Sequence, residues 1–344
     1  MKVLVTGHNG YIGSVLVQMF LAEGHEVVGL DTDLFADCFF GDMKVPEIPS
    51  MNVDIRDTAA IDLEGFDAVI HLAGLSNDPL GDLDATLTYE INHAASVRLA
   101  EKAKASGVPR FIFSSSCSNY GAAGDDFLTE ESALNPVTAY GISKVWVERD
   151  LKPLADENFH PTFLRNSTVY GISPRLRVDL VLNNLMASAV TSGRILMKSD
   201  GTPWRPIVHV EDVSRAFLAV LHAPSDVVHN QAFNVGLTQE NYRISELGEI
   251  VKETLPGCEI EYAEGAGPDK RCYRVDCSKI NRMLPGFKPQ WDARAGAVQI
   301  YEAYKKANIT EAILTDPRFV RMNQLRLLMD SRRVSEKLRW TRSS

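Results

Sequence analysis

Basic residues are in short supply: 36 Lys and Arg against 45 Asp and Glu leave a net charge of −9 and a pI near 5.4. That balance argues against a surface for nucleic acid or an anionic membrane, so any cation that meets a phosphorylated ligand has to be sought singly. No apolar run approaches the length that spans a bilayer, and the chain starts almost directly with a strand-like segment instead of a charged leader and apolar h-region, so a globular, cytosolic (cytoplasmic) protein is expected. Cysteine is sparse and odd in number. Cys38, Cys117, Cys258, Cys272 and Cys277 have no histidine at ligand spacing, which predicts free thiols and no metal site. No internal repeat or low-complexity tract is visible. What is present, 45% hydrophobic content over 344 residues, is ample for one large α/β domain and a smaller lobe.

One stretch with a chemical meaning lies in the first thirty residues. Lys2 to Thr6 reads as a buried strand, followed at once by Gly7-His8-Asn9-Gly10-Tyr11-Ile12-Gly13. Ile12, Val15, Leu16, Met19 and Phe20 then recur at helical spacing, and the apolar run Val27 to Leu30 ends at Asp31. Strand, glycine turn, helix and strand form the unit that seats a pyrophosphate at a helix N-terminus and a ribose hydroxyl on an acidic residue about twenty positions on. Asp31 fits that place. The spacing G-x-x-G-x-x-G meets the dinucleotide fingerprint only in part. A carboxylate there bonds a free 2′-hydroxyl and repels a 2′-phosphate, so the expected cofactor is NAD.

The other stretch is Ser114 to Gly121 followed by Tyr140-Gly141-Ile142-Ser143-Lys144. Four residues apart on a helix, Tyr140 and Lys144 share one face, and an ammonium held near a phenol favours the phenolate. Tyr140 is therefore a candidate base, Lys144 the group that tunes it, and Ser116 a hydroxyl able to hold a substrate hydroxyl while the proton leaves.

The chain resembles the extended short-chain dehydrogenase/reductases of the nucleotide-sugar epimerase/dehydratase family from Met1 to about Lys288. Thr6-Gly7-x-x-Gly10-x-x-Gly13, Asp54-Ile55, His71-Leu72-Ala73-Gly74, Asn92, Ser116, Tyr140/Lys144 and His209-Val210-x-Asp212 fall in that family's order and spacing. The resemblance implies a Rossmann-type doubly wound parallel sheet over residues 1–170, rejoined by 208–235, with a substrate-binding lobe and helical tail over 171–344. It implies catalytic Ser116, Tyr140 and Lys144. For the cofactor it implies Gly7, Gly10, Tyr11, Ile12, Gly13, Asp31, Asp54, Ile55, Leu72, Ala73, Gly74 and Asn92, together with Tyr140 and Lys144. For a nucleoside-diphosphate sugar it implies Ser76, Ser116, Cys117, Thr168, Arg205 and Arg271, with the last two on the diphosphate. His71 reads as structural, and a homodimer is expected.

Two departures from the family bear on the reaction. Its dehydratases carry Asp-Glu directly after the Ser or Thr, where Cys117 and Ser118 stand, so elimination lacks its acid and base. Many of its sugar epimerases have Arg-x-x-Asn where Arg165-Asn166-Ser167-Thr168 stands, so the sugar's orientation cannot be copied. Three readings follow: a 4-epimerase that oxidises a sugar carbon and returns the hydride, a 4-ketoreductase or dehydratase, and a non-catalytic dinucleotide sensor. Intact Ser116, Tyr140 and Lys144 count against the sensor, and the missing pair together with Asp31 favours the epimerase. The tail after Trp291, with an apolar stripe of Phe319, Val320, Leu325, Leu327 and Leu328, either caps the small lobe or serves an oligomer.

Overall fold

The computed structural model describes residues 1–76, 84–122, 126–267 and 272–341. Seven parallel strands form the main sheet, in the spatial order Gln231–Val235, His160–Asn166, Arg110–Ser116, Ala68–His71, Lys2–Thr6, Glu26–Asp31, Ser50–Asn52. Strand order reverses beside Lys2–Thr6, and the carboxyl ends of the strands at such a switch point are where doubly wound sheets bind ligands. The strands are apolar on both sides because both faces are covered. Along the first strand, Leu4 is buried in one core with Val69, Leu99, Phe111 and Val147, whereas Val3 and Val5 are buried in the opposite core with Leu16, Phe20, Val213 and Phe217. This is the two-residue period of a strand between two helical layers.

A third core belongs to the smaller lobe, where Leu182, Met186, Ile195, Ile207, Leu247, Ala297 and Ile300 pack together. Its strand Trp204–His209 pairs with Thr168–Tyr170 and Asn241–Arg243 in a separate sheet. The helix Val210–His222 then returns to the main sheet, ahead of the strand Gln231–Val235.

Local structure departs from expectation in two places. The sequence from Thr86 to Ser106, ended by Gly107-Val108-Pro109, predicts one long helix, but only Ala85–Thr88 and Ala95–Ala105 are α-helical, and Tyr89–Ala94 between them is a π-turn, an insertion that re-aims side chains. The tail does not stay with one lobe. Phe319 joins the small lobe's core, while Leu325 and Leu328 of the helix Arg321–Asp330 are buried in the core of the main domain. Among the described residues no helix is long and apolar enough to cross a membrane, and no group of three or more His, Cys, Asp or Glu could hold a metal.

Candidate functional site

A cavity of about 760 Å³ runs from the glycine loop, past the ends of the central strands, to the small lobe. At its first end lie Gly7, Gly10, Tyr11, Ile12 and Gly13. Gly7 has φ +73°, and a Cβ there would lie 2.8 Å from the Ala73 nitrogen; a Cβ on Gly13 would lie 2.7 Å from the His8 Cα. Both contacts require glycine. No side chain caps the helix Gly13–Ala22; the N–H groups of Ser14, Val15 and Leu16 donate to the Gly10 and Ile12 carbonyls, and it is the turn just ahead of them, Gly10 to Gly13, that lies at the cavity end, where a helix N-terminus suits a phosphate. The half-buried Asp31 carboxylate accepts from the backbone N–H of Asn9 (3.1 Å) and of Asp33 (3.0 Å), and its desolvation raises its pKa. Each oxygen keeps a lone pair, the acceptor that a ribose hydroxyl needs. These residues fit a dinucleotide.

Asp54, Ile55, Leu72, Ala73 and Gly74 also line the cavity. Asp54 is paired with Arg56 at 2.6 Å, and Asp57 makes no helix cap but pairs with Arg339. His71 is structural: it is fully buried between the hydroxyls of Thr6 and Ser96, each 2.7 Å away, and burial lowers its pKa to about 3. Of the aromatics after Asp31, Phe35 lines the cavity, whereas Phe40 lies in the small lobe's core and Phe39 is exposed beneath Arg175.

The strand Arg110–Ser116 delivers Ser116 to the middle of the cavity, and the helix Ala139–Leu151, capped by Thr138, delivers Tyr140 and Lys144 one turn apart. The Ser116 hydroxyl accepts from the backbone N–H (3.1 Å) and hydroxyl (2.9 Å) of Ser118, which leaves its own proton to donate. The Lys144 ammonium donates to the Ser114 carbonyl at 2.8 Å and lies 4.6 Å from the Phe113 ring centroid and 5.6 Å from that of Tyr140. Burial pushes its pKa down to about 7, against the attraction of Glu148. Behind this row, Glu148 accepts from Ser115 (2.5 Å), Asn119 (3.0 Å) and Arg165 (2.7 Å), a buried ion pair that ties helix to strands.

At the far end Thr168 and Arg205 line the cavity with Leu196, Lys198 and Tyr273. Arg205 is 7% exposed and its guanidinium carbon is 5.9 Å from the Tyr273 centroid. Ser76 lines it too, accepting from Arg177 at 3.1 Å. Arg271 and residues 77–82 of the polar loop after Leu75 and Ser76 lie outside the described residues.

Two assignments are corrected. Cys117 does not reach the cavity: its side chain is buried with Tyr120, Tyr273, Val275 and Cys277, its thiol donates to the Arg165 carbonyl at 3.1 Å, and burial pushes its pKa up to about 12. Asn92 is not on the cavity wall either. It is buried behind it, its amide bonded to both the N–H (2.7 Å) and carbonyl (2.9 Å) of Leu75 and to the Ser143 hydroxyl (3.3 Å).

Sequence reasoning missed Ser118, Arg177, Asp179 and Arg321, all of them cavity residues. Buried Arg177 and half-buried Asp179 pair at 2.8 Å, which holds the Asp179 carboxyl below the usual range against the cost of its desolvation. The R-x-D spacing was the available signal; Arg321 offered none.

A family model described as the NAD dependent epimerase/dehydratase family matches residues 3–236. A UDP-glucose 4-epimerase of Neisseria meningitidis serogroup A is 32% identical over 326 residues, covering 85% of this chain and 93% of the relative. The fold is similar to that of MoeE5 in complex with UDP-glucuronic acid and NAD (TM-score 0.77, 25% identity, 89% of this chain and 100% of that one). It is equally similar to a UDP-glucose 4-epimerase of Thermotoga maritima with UDP-glucose (TM-score 0.77, 25% identity, 90% and 100%). With a doubly wound sheet, a glycine loop that tolerates no side chain, a tyrosine and lysine one helical turn apart and a family match over two-thirds of its length, this chain is a member of the NAD-dependent epimerase/dehydratase family.

Proposed function

We propose that the protein inverts C4 of a nucleoside-diphosphate sugar, with NAD as a resident cofactor. The observation that carries this reading is the convergence of Ser116, Tyr140 and Lys144 on the middle of a cavity whose carboxylates are all engaged elsewhere. Asp31 and Asp54 belong to the dinucleotide end, and Asp179 is held ionised by Arg177. Elimination needs a neighbouring carboxyl acid and base, and the described cavity wall offers none in a suitable state.

NAD, when bound, would supply a hydride acceptor and donor. Tyr140 takes the proton of the C4 hydroxyl and later gives it back, while Ser116 donates a hydrogen bond to the same oxygen and holds it. The Lys144 ammonium stabilises the phenolate by charge. Gly7 to Gly13 and Asp31 would hold the dinucleotide, with Asp54 and Ile55 toward its adenine and Leu72 to Gly74 toward its ribose. Arg205 receives the substrate diphosphate, for which a guanidinium fork is suited, and Ser76 and Thr168 contact the sugar. Residues 1–170 with 208–235 constitute the cofactor-binding domain, and the remainder up to Phe319 the substrate lobe. The chain acts as a homodimer, for which Tyr89 and Trp146, half-buried with ring centroids 4.7 Å apart beside the helix Ala139–Leu151, offer an aromatic patch; light scattering tests this. Its five free thiols suit the reducing cytosol.

The test uses UDP-glucose and UDP-glucuronic acid carrying deuterium at C4, without added cofactor. Inverted product that keeps its label supports internal return of the hydride. Turnover that occurs only with added NAD(P)H and a 4-keto sugar replaces this reading with a ketoreductase.

A further inference from the structure

After Phe319 the C-terminal segment crosses to the dinucleotide end of the cavity. Gln324 donates to the Leu34 carbonyl at 3.4 Å, Arg56 to the Lys337 carbonyl at 2.9 Å, and the Trp340 indole to the Thr32 carbonyl. Arg339 pairs with Asp57 and lies 3.5 Å from Asp54. Two residues of the segment, Arg321 and Leu338, line the cavity itself.

Arg321 is chemically odd. It is 2% exposed, yet among the described residues it pairs with no carboxylate. It donates to the Arg175 carbonyl at 2.8 Å and the Arg318 carbonyl at 3.3 Å, two of its five N–H groups, and its guanidinium lies 4.6 Å from the Phe35 ring centroid. A buried charge without an opposing one is costly, and burial here lowers the pKa to about 10. The surroundings add to the imbalance. Arg175, 4% exposed, faces Phe39 and has an unpartnered Nε, while Arg177 already occupies Asp179. The neighbouring Cys38 thiol is kept neutral by burial, and Tyr11 of the glycine loop lines the same cavity as Arg321. Arg321 therefore feels two further guanidinium groups, Arg175 and Arg177, while the nearby carboxylates are shared out, Asp179 to Arg177 and Asp31, Asp33 and Asp37 facing Arg175.

We propose that Arg321 is a cofactor-binding residue: the C-terminal segment brings its guanidinium to the diphosphate of the dinucleotide, which it holds together with the glycine loop. A planar fork with unused N–H groups is suited to phosphate oxygens. The inference rests on the dinucleotide part of the proposed function and not on the reaction at the sugar. The substrate's diphosphate is the other source of the same chemistry, but Phe35 and Leu34, the neighbours of Arg321 and Gln324, belong to the loop that follows Asp31, whereas Arg205 and Tyr273 stand at the far end.

The experiment compares wild type with Arg321→Met, both freed of co-purifying nucleotide, by calorimetric titration with NAD, ADP-ribose, adenosine and UDP. The expected result is affinity roughly 10- to 100-fold weaker for NAD and ADP-ribose, with adenosine and UDP within about twofold of wild type. NAD binding within about twofold of wild type overturns the proposal, as does an equal loss for adenosine, which marks a structural role, or a loss confined to UDP, which assigns Arg321 to the substrate. Should the variant not fold, hydrogen exchange of residues 318–330 in wild type decides: slowing by ADP-ribose and not by adenosine supports the proposal, and equal slowing by both overturns it. A protein with this binding pattern that epimerises no nucleotide sugar refutes the proposed reaction and leaves Arg321 in place.

Discussion

Lys144 offers a perturbation whose size follows from its surroundings. Its ammonium is buried beneath Tyr140 and beside Phe113, with one backbone carbonyl as hydrogen-bond partner, and its pKa falls from the ordinary 10.5 to about 7. Between those values the unfolded chain holds a proton that the folded one has released, so stability rises with pH across the window. Integrating that proton difference from pH 7 to pH 9 yields about 2 kcal/mol for one lysine. Lys144→Met keeps the apolar stem and removes the titrating group. Urea denaturation of the nucleotide-free protein at pH 7, 8 and 9 should therefore show wild type gaining stability relative to the variant as pH rises. The upper limit keeps clear of the range in which the buried Cys117 thiol, pushed up to about 12, works in the opposite direction. Parallel curves, agreeing to within roughly 0.5 kcal/mol over the two pH units, would mean that Lys144 keeps its proton when folded. The reasoning that burial outweighs the carbonyl and Glu148 would then be wrong.

Tyr140→Phe should lower turnover by roughly a hundred- to ten-thousandfold, the span of a general base, while calorimetry shows NAD binding unchanged; activity within about tenfold of wild type, 1.4 kcal/mol of barrier, would exclude it as the base. For Asp31, direct titration should show NAD bound at least tenfold more tightly than NADP, about 1.4 kcal/mol, because the half-buried carboxylate opposes a 2′-phosphate, and Asp31→Ala should narrow the gap. Equal affinities in wild type would refute this. Arg165→Met leaves Glu148 buried without its cation and should cost about 3 to 5 kcal/mol in urea denaturation; a loss under about 1 kcal/mol would show that Ser115 and Asn119 suffice for that carboxylate.

How much was legible depended on how far apart in the chain the interacting groups lie. The strand, glycine loop, helix and strand of the first thirty-one residues are set by local steric needs and hydrophobic period, so the Gly7–Gly13 turn and the place of Asp31 could be read directly. Tyr140 and Lys144 share a face because four residues make about one helical turn, a geometry independent of the remaining fold. Cys117 and Asn92 were misplaced for a common reason. Cys117 opens a short 3-10 turn just past a strand end, and Asn92 sits in a π-turn; a small rotation of the backbone at such boundaries decides whether a side chain meets the cavity or the core, and packing sets that rotation.

The tail shows the division most plainly. Its apolar stripe and its helices were visible in the sequence, since both are properties of a few consecutive turns. Which surface the stripe covers was not, because Leu325 and Leu328 are buried in a core made mostly of residues more than 150 positions earlier, Leu99 and Phe111 among them. Arg321 lies 310 positions from Tyr11, between the chain's two ends, and in sequence it is one of many arginines. Only folding strips it of water and of a carboxylate partner and sets it on the wall of the dinucleotide site, and that desolvation, a property of three-dimensional surroundings alone, is what makes its charge available to a ligand.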